Sequence, residues 1–259
     1  MAEYIDVDQA IGMEGLRVVL SPGVPGPWSE AAKGILHVKR IPYVRVRQEV
    51  GGKNLALIRW TAQATAPVLA YNNEPPRSTW IEQLFLAERL APEPPLIPAN
   101  LADRTSMFGL ANEICGETGF GWSRRLMMIH QTLTNPAIPE AAKKMSSELG
   151  AKYGYTAERG AKAPARVAEI VRALGTQLES QRSKGSRFFI GDRLSALDIY
   201  WACFAALLQP LPDELCAMAP GFRRMYVCTD PAINAATAPE LFEHRDYIYR
   251  EFLQLPIDL

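Results

Sequence analysis

The side chains of this 259-residue chain best suited to nucleophilic or metal chemistry are four cysteines and three histidines, and their spacing supports neither. Cys115, Cys203, Cys216 and Cys228 form no Cys-x-x-Cys pair and lack the density of a disulfide framework. His37, His130 and His244 are scattered, and no His-x-x-x-His, His-Glu-x-x-His or Gly-x-Ser-x-Gly run occurs. Reduced thiols and no metal site are expected. Among the serines, Ser21 lies in Ser21-Pro22-Gly23 at a predicted strand end, and Ser29 before Glu30 and Ser78 after Arg77 lie at predicted helix starts. A helix start offers free N–H groups and the positive end of a dipole, so a hydroxyl there can join an anion site or lower the pKa of a nearby thiol. Each serine also has a plain structural reading: Ser21 as a turn former, Ser29 as helix-start chemistry, Ser78 as an N-cap.

These residues need elements to hold them. LRVVL, with Leu16, Val18 and Leu20, reads as a strand that stops at SPGVPGP; Trp28 to Lys39 reads as a helix with Pro27 near its start. YVRVR is a second strand, NLALIRW a short helix, PVLAY from Pro67 to Tyr71 a third strand, and STWIEQLFLAERL a helix. Pro75 and Pro76 leave any fourth strand short or absent. APEPPLIPAN, residues 91–100, can continue neither helix nor ladder. Beyond it helices are predicted at 101–115, 123–134, 137–153 and 163–182, the last with a stripe of Val167, Ile170, Val171, Leu174 and Leu178. In GDRLSALDIYWACFAALL, Ser195 and Asp198 form an acidic capping box with Leu194 and Ile199 at staple positions, which predicts the central core helix of the second half, with Cys203 as packing. The tail from Pro210, with FEHRDYIYREFLQL, is expected to add a final helix over the second domain or the site entrance.

The expected fold is therefore α/β plus all-α. A thioredoxin-like unit of order βαβαβ(β)α spans residues 1–92 with a short N-terminal extension, a proline-rich linker spans 93–100, and an all-helical domain spans 101–259. Composition agrees: 48% hydrophobic and 22% charged residues exclude collagen, disorder and coiled coil. With 28 basic and 28 acidic side chains there is no basic excess to suggest a nucleic acid or an anionic membrane as partner. The acidic start MAEYIDVDQAIGMEG does not read as a secretory signal, and no stretch reaches the length of a membrane span, so a cytoplasmic protein is expected.

Three pieces in this order, Ala66-Pro67-Val68, Arg77-Ser78 and Gly191 to Asp198, resemble the cytosolic glutathione transferases over about residues 16–208. The resemblance implies glutathione as co-substrate, with Pro67 cis, Ala66 offering its backbone N–H and C=O to the cysteinyl part by strand addition, and Ser78 taking the γ-glutamyl carboxylate. Family members usually hold an acid or amide before that serine, where this chain has Arg77; either Glu74 or a partner subunit receives the ammonium, or the peptide binds weakly. The slot for a nucleophilic cysteine or thiol-activating serine falls on Gly26, so Ser29 and Ser21 are the catalytic candidates. A second-substrate pocket between the domains would use Met107, Phe108, Trp122 and Arg125, with Arg124 nearby, and would suit a hydrophobic electrophile, with or without an acidic group. Trp122 as core and both arginines as a solvated or salt-bridged face is the other reading. The implied function is conjugation of the glutathione thiolate to a hydrophobic electrophile by a homodimer; the alternative is a non-catalytic binding or interaction protein that kept the architecture and lost the thiol-activating residue.

Overall fold

The computed structural model describes residues 3–259. Its sheet has three strands in the order β2-β1-β3: β1 (Leu16–Leu20), β2 (Val44–Arg47) parallel to it, and β3 (Val68–Tyr71) antiparallel to it. LRVVL forms a strand as expected, and both its faces are covered. Leu16, Val18 and Leu20 enter the main core, while Val19 joins Val46, Leu57, Val68 and Ala10 in a second cluster. Arg17 lies on that second face, buried, with its guanidinium on the Asn72 carbonyl at 2.9 Å and over the Trp60 ring.

Preceding β1, a short helix α1 (Val7–Ala10) that sequence did not predict puts Ala10 into the second cluster, and Ile5 pairs with Val46 along the outer edge of β2. That bridge covers an edge otherwise open to pairing with another chain. Helices α2 (Pro27–Val38), α3 (Leu55–Thr61) and α4 (Trp80–Leu90) follow in the expected places. The fourth strand is reduced to one two-hydrogen-bond bridge between Leu69 and Arg77, the residue after Pro75 and Pro76, which have no N–H to give a ladder.

Residues 91–100 contain no helix or strand, yet they are anchored. The Lys39 ammonium donates to the carbonyls of Ala91 and Pro94 and pairs with Glu88 at 2.6 Å, and Leu96 and Ile97 are buried. The helical domain comprises α5 (Leu101–Cys115), α6 (Phe120–Thr134), α7 (Glu140–Lys152), α8 (Ala157–Arg182) and α9 (Ala196–Phe204), then α10 (Pro220–Tyr226), α11 (Pro231–Ala236) and α12 (Pro239–Phe252). Helix α8 begins six residues earlier than the apolar stripe suggests, capped by Thr156 on the Arg159 N–H, with Pro164 accommodated inside it. Helix α9 is buried along its whole length and packs on α2, α5 and α12.

The Ser195–Asp198 box forms, and more surrounds it than local spacing reveals. Asp198 Oδ2 accepts from the Ser195 N–H and hydroxyl, both at 2.8 Å, and Oδ1 accepts from the Phe189 N–H at 2.9 Å. The His244 ring of α12 lies 3.1 Å from Oδ1 and edge-on to Phe189. Past α12 the tail returns to the thioredoxin-like half: Leu253 packs against α2 at Gly34, Lys33 donates to the Asp258 carbonyl at 2.6 Å, and Arg45 of β2 pairs with the Asp258 carboxylate at 2.7 Å.

Candidate functional site

The C-terminal end of β1 and the N-terminus of α2 make the first wall. Gly26 is the N-cap of α2, Pro27 its first residue, and the Glu30 N–H bonds the Gly26 carbonyl at 2.9 Å. A Cβ built on Gly26 would meet Ser29 Oγ at 3.7 Å, so the Ser29 hydroxyl stands beside the slot that glycine leaves empty. Ser29 is buried, and its hydroxyl has no hydrogen-bond partner among the described residues. Ser21 is placed differently. Its hydroxyl donates to Gln48 Oε1 at 2.5 Å, while Gln48, buried, gives its amide to the carbonyls of Glu49 and Ala64. Ser21 and Gln48 thus tie the end of β1 to the segment that precedes Ala66.

The second wall is that segment and the start of β3. The Ala66–Pro67 bond is cis, and Ala66 is partly exposed. The carbonyls of Pro67 and Arg77 are both held by the buried Gln83 amide of α4, at 3.2 and 3.3 Å. Gln83 therefore sets the spacing between the Pro67 loop and the Arg77–Ser78 loop.

The third wall is the start of α4. Its cap is Thr79, not Ser78: Glu82 Oε2 accepts from the Thr79 N–H and hydroxyl at 3.1 and 2.7 Å, closing a capping box. Those bonds, with a further one from the Ser78 N–H, hold the Glu82 carboxyl below its ordinary pKa. The Ser78 hydroxyl is left exposed and without a partner among the described residues. Arg77 is turned away onto Glu74 Oε2 at 2.7 Å, and Arg89 reaches the same oxygen at 2.6 Å. The Arg89 hydrogen bond first, and Arg77 with it, lower the Glu74 pKa.

The helical domain packs against the start of α2. The Trp28 indole donates to the Cys115 carbonyl at 2.9 Å and packs edge-on to Phe204. Gly121 is required there, since a Cβ would lie 2.4 Å from Phe204 and 2.9 Å from Trp28. The turn after α5 falls at residues 116–119, and α6 begins at Phe120, before the expected start at 123, with Gly119 as its N-cap. Arg124 lies on no solvated or salt-bridged face: it is buried and bonds the carbonyls of Leu207 and Tyr226 at 2.9 and 3.3 Å. Arg125 donates to the Tyr226 hydroxyl at 3.1 Å, and that hydroxyl donates to the Pro25 carbonyl at 3.2 Å. Trp122 donates to the Tyr153 carbonyl and stacks edge-on to its ring. Lys152 crosses to Thr65, donating to Oγ1 at 2.7 Å.

Met107 and Phe108 lie elsewhere. Met107 is fully buried in the main core, and Phe108 stacks on Phe85 at 5.6 Å and on Trp80, along the α4–α5 face. Of the expected pocket residues only Trp122 and Arg125 face the Tyr153–Tyr226 cluster. Sequence reasoning missed Gln48, Gln83, Lys152 and Tyr226, each of which has a partner at least 16 residues away that leaves no local pattern. Among the described residues no His/Cys/Asp/Glu group could hold a metal ion.

No protein-family model and no curated protein sequence matches the chain. Solved structures do. A glutathione S-transferase from Methylobacterium radiotolerans, complexed with glutathione sulfonate, superposes with a TM-score of 0.62 at 16% identity, covering 91% of each chain. The chain has the glutathione S-transferase fold. Rice GST1 in complex with glutathione gives a TM-score of 0.58 at 18% identity over 94% of this chain and 93% of its own. Ure2p in complex with glutathione gives 0.60 at 12% identity, with 94% and 93% covered. Gly26 opens α2, the Ala66–Pro67 bond is cis at the start of β3, Ser78 precedes α4, and Arg125 and Tyr226 belong to the helical domain.

Proposed function

We propose that the chain is a glutathione-dependent transferase in which Ser29 stabilises the glutathione thiolate. The observation that carries this reading is the unpartnered Ser29 hydroxyl in the first turn of α2, beside Gly26. A thiol at its ordinary pKa of about 8.5 is mostly protonated at neutral pH, and a hydroxyl donor with the positive end of a helix favours the thiolate. Ala66 and cis-Pro67 take the cysteinyl backbone, and the spare Ser78 hydroxyl takes the γ-glutamyl carboxylate. The thiol gives its proton to water. The sulfur lone pair then forms a C–S bond to a hydrophobic electrophile, whose leaving group departs with its bonding electrons. Structures of the same fold solved with glutathione or its sulfonate support the ligand class. Four buried, unpaired cysteines fit a reducing, cytoplasmic setting, and a homodimer is part of the same reading.

A second reading, a binding protein without chemistry, has one observation in its favour. The Glu82 carboxylate already occupies the N–H groups of Ser78 and Thr79, where an incoming γ-glutamyl carboxylate would sit. Calorimetric titration with glutathione across pH, with thiolate absorbance recorded in parallel, separates the two. Saturable binding that weakens in Ser78→Ala, with thiolate present below about pH 8, supports the transferase. Binding without thiolate leaves the non-catalytic reading, and no binding at millimolar glutathione overturns both glutathione-based roles.

A further inference from the structure

Arg125 and Lys152 both lie against Tyr153 on the helical domain. Arg125 is partly buried against Tyr226, Tyr153 and Met128, and Lys152 reaches across the cleft to Thr65. Neither forms an ion pair with a carboxylate among the described residues, although arginines and lysines elsewhere in the molecule do so repeatedly. The two cations meet at Tyr153, where the Lys152 ammonium is 5.8 Å from the ring centroid; loss of solvent around that ammonium first, and the Arg125 charge after it, lower the Lys152 pKa although the residue as a whole is exposed. Like charges held together in a cleft cost free energy that a bound anion recovers.

Their position is as telling as their charge. Arg125 is linked through the Tyr226 hydroxyl to the Pro25 carbonyl, one residue before Gly26. Lys152 is linked to Thr65, one residue before Ala66. The pair therefore overhangs the two loops between which a transferase would hold the sulfur. Tyr226 spends its proton on Pro25 while accepting from Arg125, which fixes the guanidinium and leaves further N–H groups of its planar fork for a ligand. Trp122, edge-on to Tyr153, adds an aromatic wall beside it.

We propose that Arg125, assisted by Lys152, forms an anion subsite that selects electrophiles carrying a carboxylate on an apolar body. This specificity rests on the transferase reading, and its test is built to fail separately. Titrate S-benzylglutathione and S-(4-carboxybenzyl)glutathione into the full chain by calorimetry. The carboxylated conjugate should bind about 10- to 100-fold more tightly, as a charge-assisted bidentate contact allows. Arg125→Gln should bring the ratio of the two affinities close to one while leaving free glutathione unchanged, and Lys152→Met should lower that ratio by a smaller part. A thermal melt of each variant checks folding, and Lys152, being exposed, keeps the test alive if Arg125→Gln misfolds. Equal affinity of the two conjugates for the wild type overturns the subsite. So does an Arg125→Gln variant that weakens glutathione itself by the same factor, because the cation would then be reading the peptide's own carboxylate. If neither conjugate binds, the transferase reading has failed; 4-phenylbutyrate against its amide, on wild type and Arg125→Gln, still decides whether the subsite takes a carboxylate.

Discussion

Two serines at one sheet end behave differently because their surroundings offer different acceptors. Ser21 meets the Gln48 amide oxygen and commits its proton there, whereas Ser29 has only the space left by Gly26. Ser29→Ala should therefore raise the pKa of bound glutathione by about one unit and lower kcat/KM near pH 7 about tenfold, read from thiolate absorbance against pH. Ser21→Ala should leave that pKa unchanged and cost about 1 kcal/mol of stability in urea unfolding. Gly26 offers a sharper probe. Its φ of −66° and ψ of 123° suit any residue, and a Cβ meets nothing closer than 3.7 Å. Gly26→Cys should fold normally and place a thiolate at the start of α2, where a helix N-terminus lowers its pKa. Attack on oxidised glutathione would form a protein–glutathione disulfide and release one glutathione thiolate. The wild type should gain no such mass, since its four thiols are buried and burial pushes Cys203 up to about 12 and Cys216 to about 11. If the Gly26→Cys variant forms its disulfide no faster than free cysteine does, the cleft does not recognise glutathione.

Elements are legible wherever their signal is local. The β-branched run LRVVL, the Ser195–Asp198 spacing and the prolines of residues 91–100 each act within a few residues, and each appears in the fold as read. Helix α1 escapes because four residues carry no period, and the Arg124 clamp escapes because its carbonyl partners are 83 and 102 residues away. Ser78 reads as a possible N-cap because serine precedes the apolar run, but Thr79 with Glu82 three residues on forms the box. The α9 start shows how a local motif acquires wider weight. Asp198 serves three donors from two segments and lies against His244 of α12, so it joins elements as well as capping one. Asp198→Ala would leave the Ser195 and Phe189 N–H groups buried without an acceptor. The expected loss is about 3 kcal/mol, measured as a shift of the denaturant midpoint at unchanged m-value. A loss below about 1 kcal/mol would mean that water replaces the carboxylate.

At the scale of the molecule, the two halves are joined on both sides of α2: Trp28 and Tyr226 on the cleft side, and the Leu253–Asp258 tail against Gly34, Lys33 and Arg45. With α2 held in this way, one broad surface stays open along α4 and α5. Phe85 is 44% exposed and Leu101 77%, and the Arg104 guanidinium lies over Phe108 and Phe85 at 5.2 and 5.9 Å. Phe108, expected in the substrate pocket, thus belongs to an outer face made by one helix from each domain. A two-fold axis beside that face would set α4 of one protomer on α5 of its partner, burying the apolar side chains twice over with the same residues. Phe85→Asp should then convert a wild-type dimer to a monomer in gel filtration with light scattering, while the variant's far-ultraviolet circular dichroism stays unchanged. A wild type that elutes as a monomer, or a Phe85→Asp variant that remains a dimer, would place the subunit contact elsewhere and leave the stacked Phe85–Phe108 pair as packing between the two helices.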